Sequence, residues 1–305
     1  MNTTNSILLI RPYNFVFNTE TAESNTFQRY SAESQYEIQQ KVSEEFEKFA
    51  ATLQSKGVNL YIFDDIVFPH KPDAIFPNNW ITFHPDGKII LYPMFAPNRR
   101  IERRQDIIES LRSDFNINEV IDLSNYEIQN KFLEGTGSIV FDPRSKHAFA
   151  CISPRTDKGL FIKLCADLGY KPYCFHAHDK NGTDIYHTNV MMCIGEKFAV
   201  LCLDSITNTL EREKICETLV QSGHEIINIT LEQMNNFAGN MLEIENDKNE
   251  KLLVLSNKAF LSLNKSQLHS LNRFSELIPL DIPTIESIGG GSVRCMMAEI
   301  FLPVK

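Results

Sequence analysis

The sequence predicts an α/β fold in which five strand–strand–helix–strand units form a closed ring with pseudo-fivefold symmetry. Three observations support this prediction. The same order of elements returns along the chain, the units have roughly equal length, and the fifth unit combines the two ends of the chain. No change of composition marks a linker, so we expect a single domain over residues 1–305.

Each unit is predicted from two short apolar runs, a stretch with helical spacing and a third apolar run. The predicted strand, strand, helix and strand are, unit by unit, 80–83, 88–92, 99–115 and 119–123; 138–142, 148–153, 157–168 and 171–175; 189–194, 198–204, 210–222 and 225–229; 241–245, 252–256, 265–274 and 277–280; and 293–302, 6–10, 33–54 and 58–63. In the helix of the fifth unit, for example, Ile38, Val42, Phe46 and Phe49 share one face.

The composition excludes several classes of partner. The 30 Lys and Arg against 39 Asp and Glu leave a net charge of −9, which argues against nucleic acid and anionic membranes as partners. No apolar run approaches the roughly 20 residues that span a bilayer. Seven cysteines, an odd number, fit reduced thiols better than a disulfide framework. We therefore expect a cytoplasmic protein with a small-molecule partner; the sequence leaves a homodimer open.

Unusual polar residues precede the first predicted strand of every unit. These segments are Phe-Pro-Asn-Asn-Trp at 76–80, Leu-Glu-Gly-Thr-Gly at 133–137, Tyr-His-Thr-Asn at 186–189, Gly-Asn at 239–240 and Gly-Gly-Gly-Ser-Val-Arg-Cys at 289–295. Equivalent positions in a ring lie at the same end of its axis. The segments should therefore converge on one central site for a small molecule.

Cys295 is the candidate nucleophile in that site. The three glycines before it permit backbone conformations that other residues resist, and Arg294 could favour its thiolate. His187 is the candidate acid–base group, and Glu134 is the candidate acceptor that orients it. The alternatives are a small buried hydrophobe for the cysteine, a core histidine for His187 and a capping carboxylate for Glu134.

These motifs, in this order, resemble the guanidine-modifying superfamily of arginine deiminases, dimethylarginine dimethylaminohydrolases, amidinotransferases and arginine dihydrolases. Residues 133–137 are similar to its Glu-Gly-Gly-Asp motif and 187–189 to its His-x-Asp motif. Residues 290–295, Gly-Gly-Ser-Val-Arg-Cys with Gly289 before them, are similar to its Gly-Gly-Gly-x-x-Cys motif. The resemblance implies a five-bladed αβ-propeller, the pentein fold, with a Cys–His–Glu site. The likeness is greatest to the bacterial amidinotransferase-like or citrulline-utilisation branch, which carries the Phe-Pro-Asn-Asn-Trp string.

The resemblance also implies how the substrate is held. Asp73 matches the position that binds the α-amino group in dimethylarginine hydrolases, and Arg99 and Arg155 match positions that bind the α-carboxylate. The alternative for either arginine is a solvated surface charge. Asn79 and Asn189 occupy the positions at which deiminases bind the guanidinium through two aspartates. Gly137 replaces the Asp that ends the Glu motif.

The two asparagines favour a neutral substrate group. An amide donates through its NH₂ and accepts through its oxygen, whereas a carboxylate only accepts. We therefore predict a C–N hydrolase that converts citrulline to ornithine, ammonia and carbon dioxide without a metal or organic cofactor. Alternatives are an arginine deiminase or dihydrolase, a dimethylarginine hydrolase and, less favoured because it needs an amine acceptor, an amidinotransferase. A binding protein without turnover is a further alternative, but it would not need Cys295, His187 and Glu134 together.

Two groups outside these motifs carry weaker expectations. Cys174, His176 and His178 alternate as strand neighbours, which is typical of metal ligands, although no fourth ligand is evident. We expect ordinary strand-end residues there and keep zinc as an alternative. Arg100, Arg103 and Arg104 are expected on an exposed helix face.

Overall fold

Five three-stranded sheets form the framework of the computed structural model, which describes residues 3–305. In chain order the strands are β1 (Ser6–Arg11), β2 (Asn59–Asp64), β3 (Ile81–Phe83), β4 (Lys88–Leu91), β5 (Glu119–Asp122), β6 (Val140–Asp142), β7 (His147–Cys151), β8 (Lys171–Phe175), β9 (Met192–Ile194), β10 (Phe198–Leu201), β11 (Glu225–Asn228), β12 (Leu242–Glu245), β13 (Lys251–Ser256), β14 (Glu276–Leu280) and β15 (Ala298–Glu299). The sheets are β15-β1-β2, β3-β4-β5, β6-β7-β8, β9-β10-β11 and β12-β13-β14, which confirms the predicted assignment of strands to units.

Every sheet has the same pairing. Its middle strand runs antiparallel to the first strand and parallel to the third. In the sheet that joins the chain ends, Ile7 of β1 lies opposite Glu299 on one side and Leu60 on the other. The parallel pair in each unit requires a crossover, which the helices provide.

The helices include the predicted crossovers and several single turns. They are α1 (Gln35–Ser55), α2 (Pro97–Arg100), α3 (Gln105–Leu111), α4 (Gly135–Ser138), α5 (Lys158–Leu168), α6 (Thr188–Met191), α7 (Thr209–Gln221), α8 (Leu231–Asn235), α9 (Asn257–Ser262), α10 (Lys265–Asn272) and α11 (Pro283–Gly289), with 3₁₀ helices at Pro77–Asn79, Ser124–Gln129 and Leu203–Ser205. The longest, α1, begins with a capping box between Ser34 and Glu37. No helix within residues 3–305 is long and apolar enough to cross a bilayer.

The buried apolar residues form four clusters, and the alternation of side chains along the strands assigns neighbouring residues to different clusters. Successive side chains of a strand point to opposite faces, so neighbouring residues of a middle strand enter different apolar clusters. The pairs that divide in this way are Leu9 and Ile10, Ile89 and Ile90, Ala148 and Phe149, and Leu252 and Leu253. Each cluster contains residues from at least two sheets. The sheets are therefore packed face to face through shared cores.

The structure corrects four of the predicted elements, one helix and three strands. The predicted helix 99–115 is two helices, α2 and α3, because Arg103 turns inward to donate to the Tyr92 carbonyl and pair with Glu127. Arg100 and Arg104 are likewise half-buried, so the three arginines do not form an exposed helix face. The predicted strands 138–142, 189–194 and 293–302 are each shorter, since a helical turn or a tight turn occupies their first residues.

Candidate active site

Short turns before the first strands of the units hold the candidate residues. Glu134 immediately precedes α4, and His187 immediately precedes α6. Asn79 ends the 3₁₀ helix before β3, and Cys295 lies in the turn before β15. Because α4 contacts both α6 and the 3₁₀ helix, the side chains of three units are brought together.

Glu134 and His187 form a buried hydrogen-bonded pair. The distance from His187 Nε2 to Glu134 Oε2 is 2.7 Å. The exposed fraction is 3% for His187 and 0% for Glu134. The other carboxylate oxygen accepts from the Phe95 backbone N–H at 2.9 Å. The Glu134 side chain makes no capping hydrogen bond to α4. The carboxylate therefore orients the imidazole in this structure.

The charges of this pair are set by opposing effects. Burial raises the pKa of Glu134, but Arg155 and the hydrogen bond from His187 outweigh it and leave that pKa well below its usual range. Burial lowers the pKa of His187 despite the neighbouring carboxylate, so the imidazole is neutral at pH 7. An ionised carboxylate only accepts, so Nε2 carries the proton and Nδ1 has a free lone pair.

Gly137 makes room for two functional groups. A Cβ atom at this position would lie 2.5 Å from Asn79 Nδ2 and 2.7 Å from His187 Nδ1. The amide nitrogen and the imidazole can approach each other only because the residue between them has no side chain. The loss of the aspartate that ends the related motif therefore has a steric consequence here.

The Cys295 sulfur lies among carboxamides. Asn240 Nδ2 is 3.4 Å and Asn189 Nδ2 is 3.6 Å from Cys295 Sγ. Cys295 and His187 make no hydrogen bond to each other; Asn189, which contacts the sulfur, lies two residues after His187 in the chain. Arg294, expected beside the thiol, instead directs its guanidinium to Glu299 at 2.8 Å and to the Met297 carbonyl at 2.9 Å.

Arg99 holds Asn79 in one orientation. Its Nε and Nη2 atoms donate to the two oxygens of Glu102 at 2.8 Å each, and Nη1 donates to Asn79 Oδ1 at 2.8 Å. Because a guanidinium only donates, the Asn79 oxygen must face Arg99 and its NH₂ must face away. The prediction that Arg99 binds an α-carboxylate stays a prediction; three of its nitrogens already donate within the protein. Glu102 was not identified from the sequence.

Asp73 and Arg155 are also buried, with exposed fractions of 3% and 2%. Asp73 Oδ2 accepts from Asn18 at 2.7 Å and lies 3.6 Å from Arg99 Nε. Burial raises the pKa of Asp73, and the nearby guanidinium opposes that rise. Arg155 lies 3.5 Å from Glu134 and stacks on the ring of Tyr186 at 4.8 Å. Neither Arg99 nor Arg155 is a solvated surface charge.

Residues 18–30 form a segment that connects these groups. Asn18 contacts Asp73, and the backbone oxygen of Thr21 and the hydroxyl of Ser24 accept from Arg155 Nη2 at 3.3 and 2.5 Å. Asn25 donates to the Gly289 carbonyl at 3.3 Å. At Gly290, a φ of +65° favours glycine, and a Cβ at this position would lie only 2.6 Å from Asn25 Nδ2.

Several buried polar atoms in this region have no hydrogen-bond partner among residues 3–305. They are Asp73 Oδ1, Asn78 Oδ1, Asn79 Nδ2, Arg155 Nε and Asn189 Oδ1. A buried polar group without a hydrogen-bond partner lowers the free energy of unfolding by roughly 1–3 kcal/mol, so such groups are rare. Where they occur, they often mark a ligand-binding site or a strained region. Both donors and acceptors are present, which suits a ligand with both kinds of group.

A cavity of about 310 Å³ lies next to these residues. Its walls include residues of β3, β6, β9, β12 and β15, so all five sheets contribute their first strand. Thr136, Asn189 and Arg294 also line it, whereas Cys295 and His187 do not. The cavity is therefore adjacent to the candidate site and separate from its reactive groups.

The potential metal ligands do not converge. β8 ends at Phe175, so His176 and His178 lie beyond the strand. His176 Nδ1 is 3.3 Å from Glu211, and His178 Nε2 is 3.2 Å from Asp184. Within residues 3–305, no group of three His, Cys, Asp or Glu side chains is arranged to hold a metal ion.

A protein-family model described as N,N dimethylarginine dimethylhydrolase, eukaryotic, matches residues 11–302. The chain belongs to this family. The family is part of the pentein guanidine-modifying superfamily, so the resemblance drawn from the motifs is confirmed. A search of curated protein sequences finds no match.

Solved structures share the fold of this dimethylarginine dimethylhydrolase family member at low identity. ArgZ, a cyanobacterial arginine dihydrolase, is 15% identical with a TM-score of 0.74; the match covers 98% of this chain and 41% of ArgZ. The chain thus spans about two fifths of that ArgZ chain. A substrate-bound N-terminal domain of ArgZ has 14% identity, the same TM-score and 98% coverage of both chains. A dimethylarginine dimethylaminohydrolase in adduct with S-methyl-L-thiocitrulline has 15% identity, a TM-score of 0.66 and coverage of 98% and 100%.

Proposed function

We propose that the chain is a cysteine hydrolase that cleaves the ureido group of citrulline to give ornithine, ammonia and carbon dioxide. The orientation of Asn79 carries this choice of substrate. Arg99 binds the Asn79 oxygen at 2.8 Å, so the unpartnered NH₂ is a fixed donor next to the His187 ring.

A fixed donor favours a ureido group over a guanidinium. A guanidinium has only N–H donors, so it would meet the Asn79 NH₂ donor to donor. A ureido group presents a carbonyl oxygen that can accept from Asn79. Its terminal NH₂ can donate to Asn189 Oδ1, which has no partner among residues 3–305. Both contacts are made by uncharged carboxamides, as expected for a neutral substrate group.

The amino-acid end of citrulline is assigned to Asp73 and Arg155. Asp73 Oδ1 is an unpartnered carboxylate oxygen that can accept from an α-ammonium group. Arg155 is a buried cation with an unpartnered Nε–H that can donate to an α-carboxylate. We propose that Arg99 acts mainly through Asn79, because Glu102 takes two of its three nitrogens.

In the proposed reaction the Cys295 thiolate attacks the ureido carbon and the carbon–nitrogen bond breaks. Nδ1 of His187 accepts the thiol proton and passes it to the leaving nitrogen, while Glu134 holds Nε2 and balances the imidazolium. The same imidazole then takes a proton from the water that cleaves the sulfur–carbon bond. The resulting carbamate loses carbon dioxide. One citrulline and one water thus give one ornithine, one ammonia and one carbon dioxide, without a metal or organic cofactor.

Hydrolysis at a guanidino carbon is the second candidate. The match to the dimethylarginine dimethylhydrolase family supports it, as does the fold shared with an arginine dihydrolase. The same cysteine, histidine and glutamate would act on arginine or on a methylated arginine. An amidinotransferase has less support, because no described group marks a site for an amine acceptor.

We also infer that the five sheets close into a five-bladed propeller that forms a single catalytic domain. Shared cores connect each sheet to at least two others, and residues from all five first strands line one cavity. Both observations fit a ring better than an open array. A cytoplasmic location and a homodimer stay predictions.

A substrate panel tests the proposed function. The purified protein is incubated with citrulline, arginine or N,N-dimethylarginine, and ornithine, citrulline, ammonia and dimethylamine are quantified. Ornithine and ammonia from citrulline would support the proposal. Citrulline from arginine, or dimethylamine from dimethylarginine, would favour the second candidate. Absence of turnover on all three substrates would overturn the hydrolase proposal. Cys216→Ala, which changes a cysteine of α7, serves as the control for Cys295→Ala.

A further inference from the structure

We propose that Asn240 is a catalytic residue whose side-chain NH₂ stabilises the Cys295 thiolate. Asn240 lies in the turn before β12, at the position in unit four that corresponds to the other site residues.

Two backbone groups fix the direction of the Asn240 amide. Its Oδ1 accepts from the Arg294 backbone N–H at 3.1 Å and lies 3.7 Å from Cys295 Sγ, so it can accept from the neutral thiol, whereas a thiolate can only accept from the NH₂. Its Nδ2 donates one hydrogen to the Asn189 carbonyl at 3.1 Å. The second hydrogen remains for Cys295 Sγ at 3.4 Å. With an exposed fraction of 1%, the side chain is held by packing as well as by these bonds.

No cation performs this role in the described residues. Arg294 is paired with Glu299, and Arg155 is next to Glu134. No Lys or Arg side chain among residues 3–305 donates to Cys295 Sγ. A thiolate in a buried site needs donors or a nearby positive charge, because burial favours the neutral thiol. The two carboxamides are the donors that remain.

The charge of the substrate makes this role necessary, a step that rests on the proposed function. A bound guanidinium would place a positive charge beside the sulfur and favour its ionised form. A ureido group is neutral and supplies no such charge. The Asn189 oxygen is assigned to the ureido NH₂ and its Nδ2 lies farther from the sulfur, at 3.6 Å, so Asn240 is the nearer donor to Cys295 Sγ and has no assigned contact with the substrate.

Asn240→Asp tests the role with little change of shape. The carboxylate retains the acceptor for Arg294, loses the donor and adds a negative charge next to the sulfur. Iodoacetamide alkylation of Cys295 is followed by peptide mass spectrometry as a function of pH, without substrate. We expect the midpoint of the alkylation profile to rise by about one pH unit or more in this variant. Asn236→Asp, four residues away with no contact to the sulfur, is the charge-matched control.

Asn240→Ala provides a second, uncharged variant in case the aspartate prevents folding. It should shift the midpoint in the same direction by a smaller amount. Alkylation profiles of folded Asn240→Asp or Asn240→Ala that superimpose on the wild-type profile would overturn the proposal. Since alkylation needs no substrate, a protein inactive on citrulline can still show the shift, and the two proposals fail separately.

Discussion

Two buried carboxylate–imidazole pairs connect units two and three of this protein, and only one has the surroundings of an active site. The Glu134–His187 distance is 2.7 Å and the Asp142–His224 distance is 2.8 Å. All four residues have exposed fractions below 5%. Distance and burial therefore do not distinguish the pairs.

The neighbours of the two pairs differ. Ser145 contacts Asp142 through both its hydroxyl and its backbone N–H, so the carboxylate is used within the β6–β7 turn. Burial raises the pKa of Asp142, but the hydrogen bonds from His224 and Ser145, together with the charge of His224, outweigh it and leave that pKa below its usual value. Around Glu134 and His187, by contrast, Gly137 leaves space because it has no side chain, and buried amide atoms without a hydrogen-bond partner lie nearby. We infer that a histidine–carboxylate pair can act on a substrate only where space and reactive groups adjoin the second imidazole nitrogen.

The largest effect is expected at the nucleophile. Cys295→Ala should lower kcat by about 10⁴-fold or more, because no other described group can form the covalent intermediate. Ornithine release from citrulline measures the loss. Cys151→Ala, at a buried cysteine of β7, should fold and retain turnover. Substantial activity in Cys295→Ala would remove the covalent mechanism.

Matched substitutions in the two pairs test the comparison directly. His187→Gln should lower kcat/KM by about 10²–10⁴-fold, since the acid–base group is lost. His224→Gln should leave kcat/KM within about threefold and lower the free energy of unfolding by about 1–3 kcal/mol. Activity assays and urea unfolding measure both quantities. Equal losses of activity would show that the two pairs do not differ as described.

Asn79→Asp tests the substrate group. The aspartate keeps the acceptor for Arg99 and replaces the fixed donor by an acceptor. Turnover of citrulline should fall by about 10–100-fold, and the ratio of arginine to citrulline turnover should rise. Steady-state kinetics with both substrates give the ratio. Asn116→Asp, an exposed change of the same charge, is the control; an unchanged ratio in Asn79→Asp would argue against ureido recognition.

The smallest effect concerns pH. The pKa of folded His187 lies below the unfolded value of 6.5, so the unfolded chain binds the proton first as pH falls. Stability is therefore lost on acidification below pH 6.5, and His187→Gln should remove about 1–2 kcal/mol of that loss. Urea unfolding at pH 7 and pH 5.5 compares the variant with wild type and with His70→Gln, an exposed control. A parallel loss in all three proteins would contradict the neutral buried imidazole.

Much of the fold follows from local patterns. β4, β7 and β13 contain continuous apolar runs, as expected of strands that are buried on both faces. The apolar residues from Ile38 to Leu53 have helical spacing, and they lie in α1. The position of each motif before a first strand also indicated that Glu134, His187 and Cys295 share one end of the structure. What periodicity missed are the single helical turns, which are too short to show a period.

By itself, the sequence determined the spacing of apolar residues in strands and helices and the order of elements in each unit. It also identified three side chains as catalytic candidates. Only the tertiary structure decided which way Arg294 turns, that Glu102 holds Arg99, and that Asn240 reaches the sulfur. The physical reason is that strand and helix patterns report burial within one element. A hydrogen bond between side chains depends on which units become neighbours and on what partners are already taken.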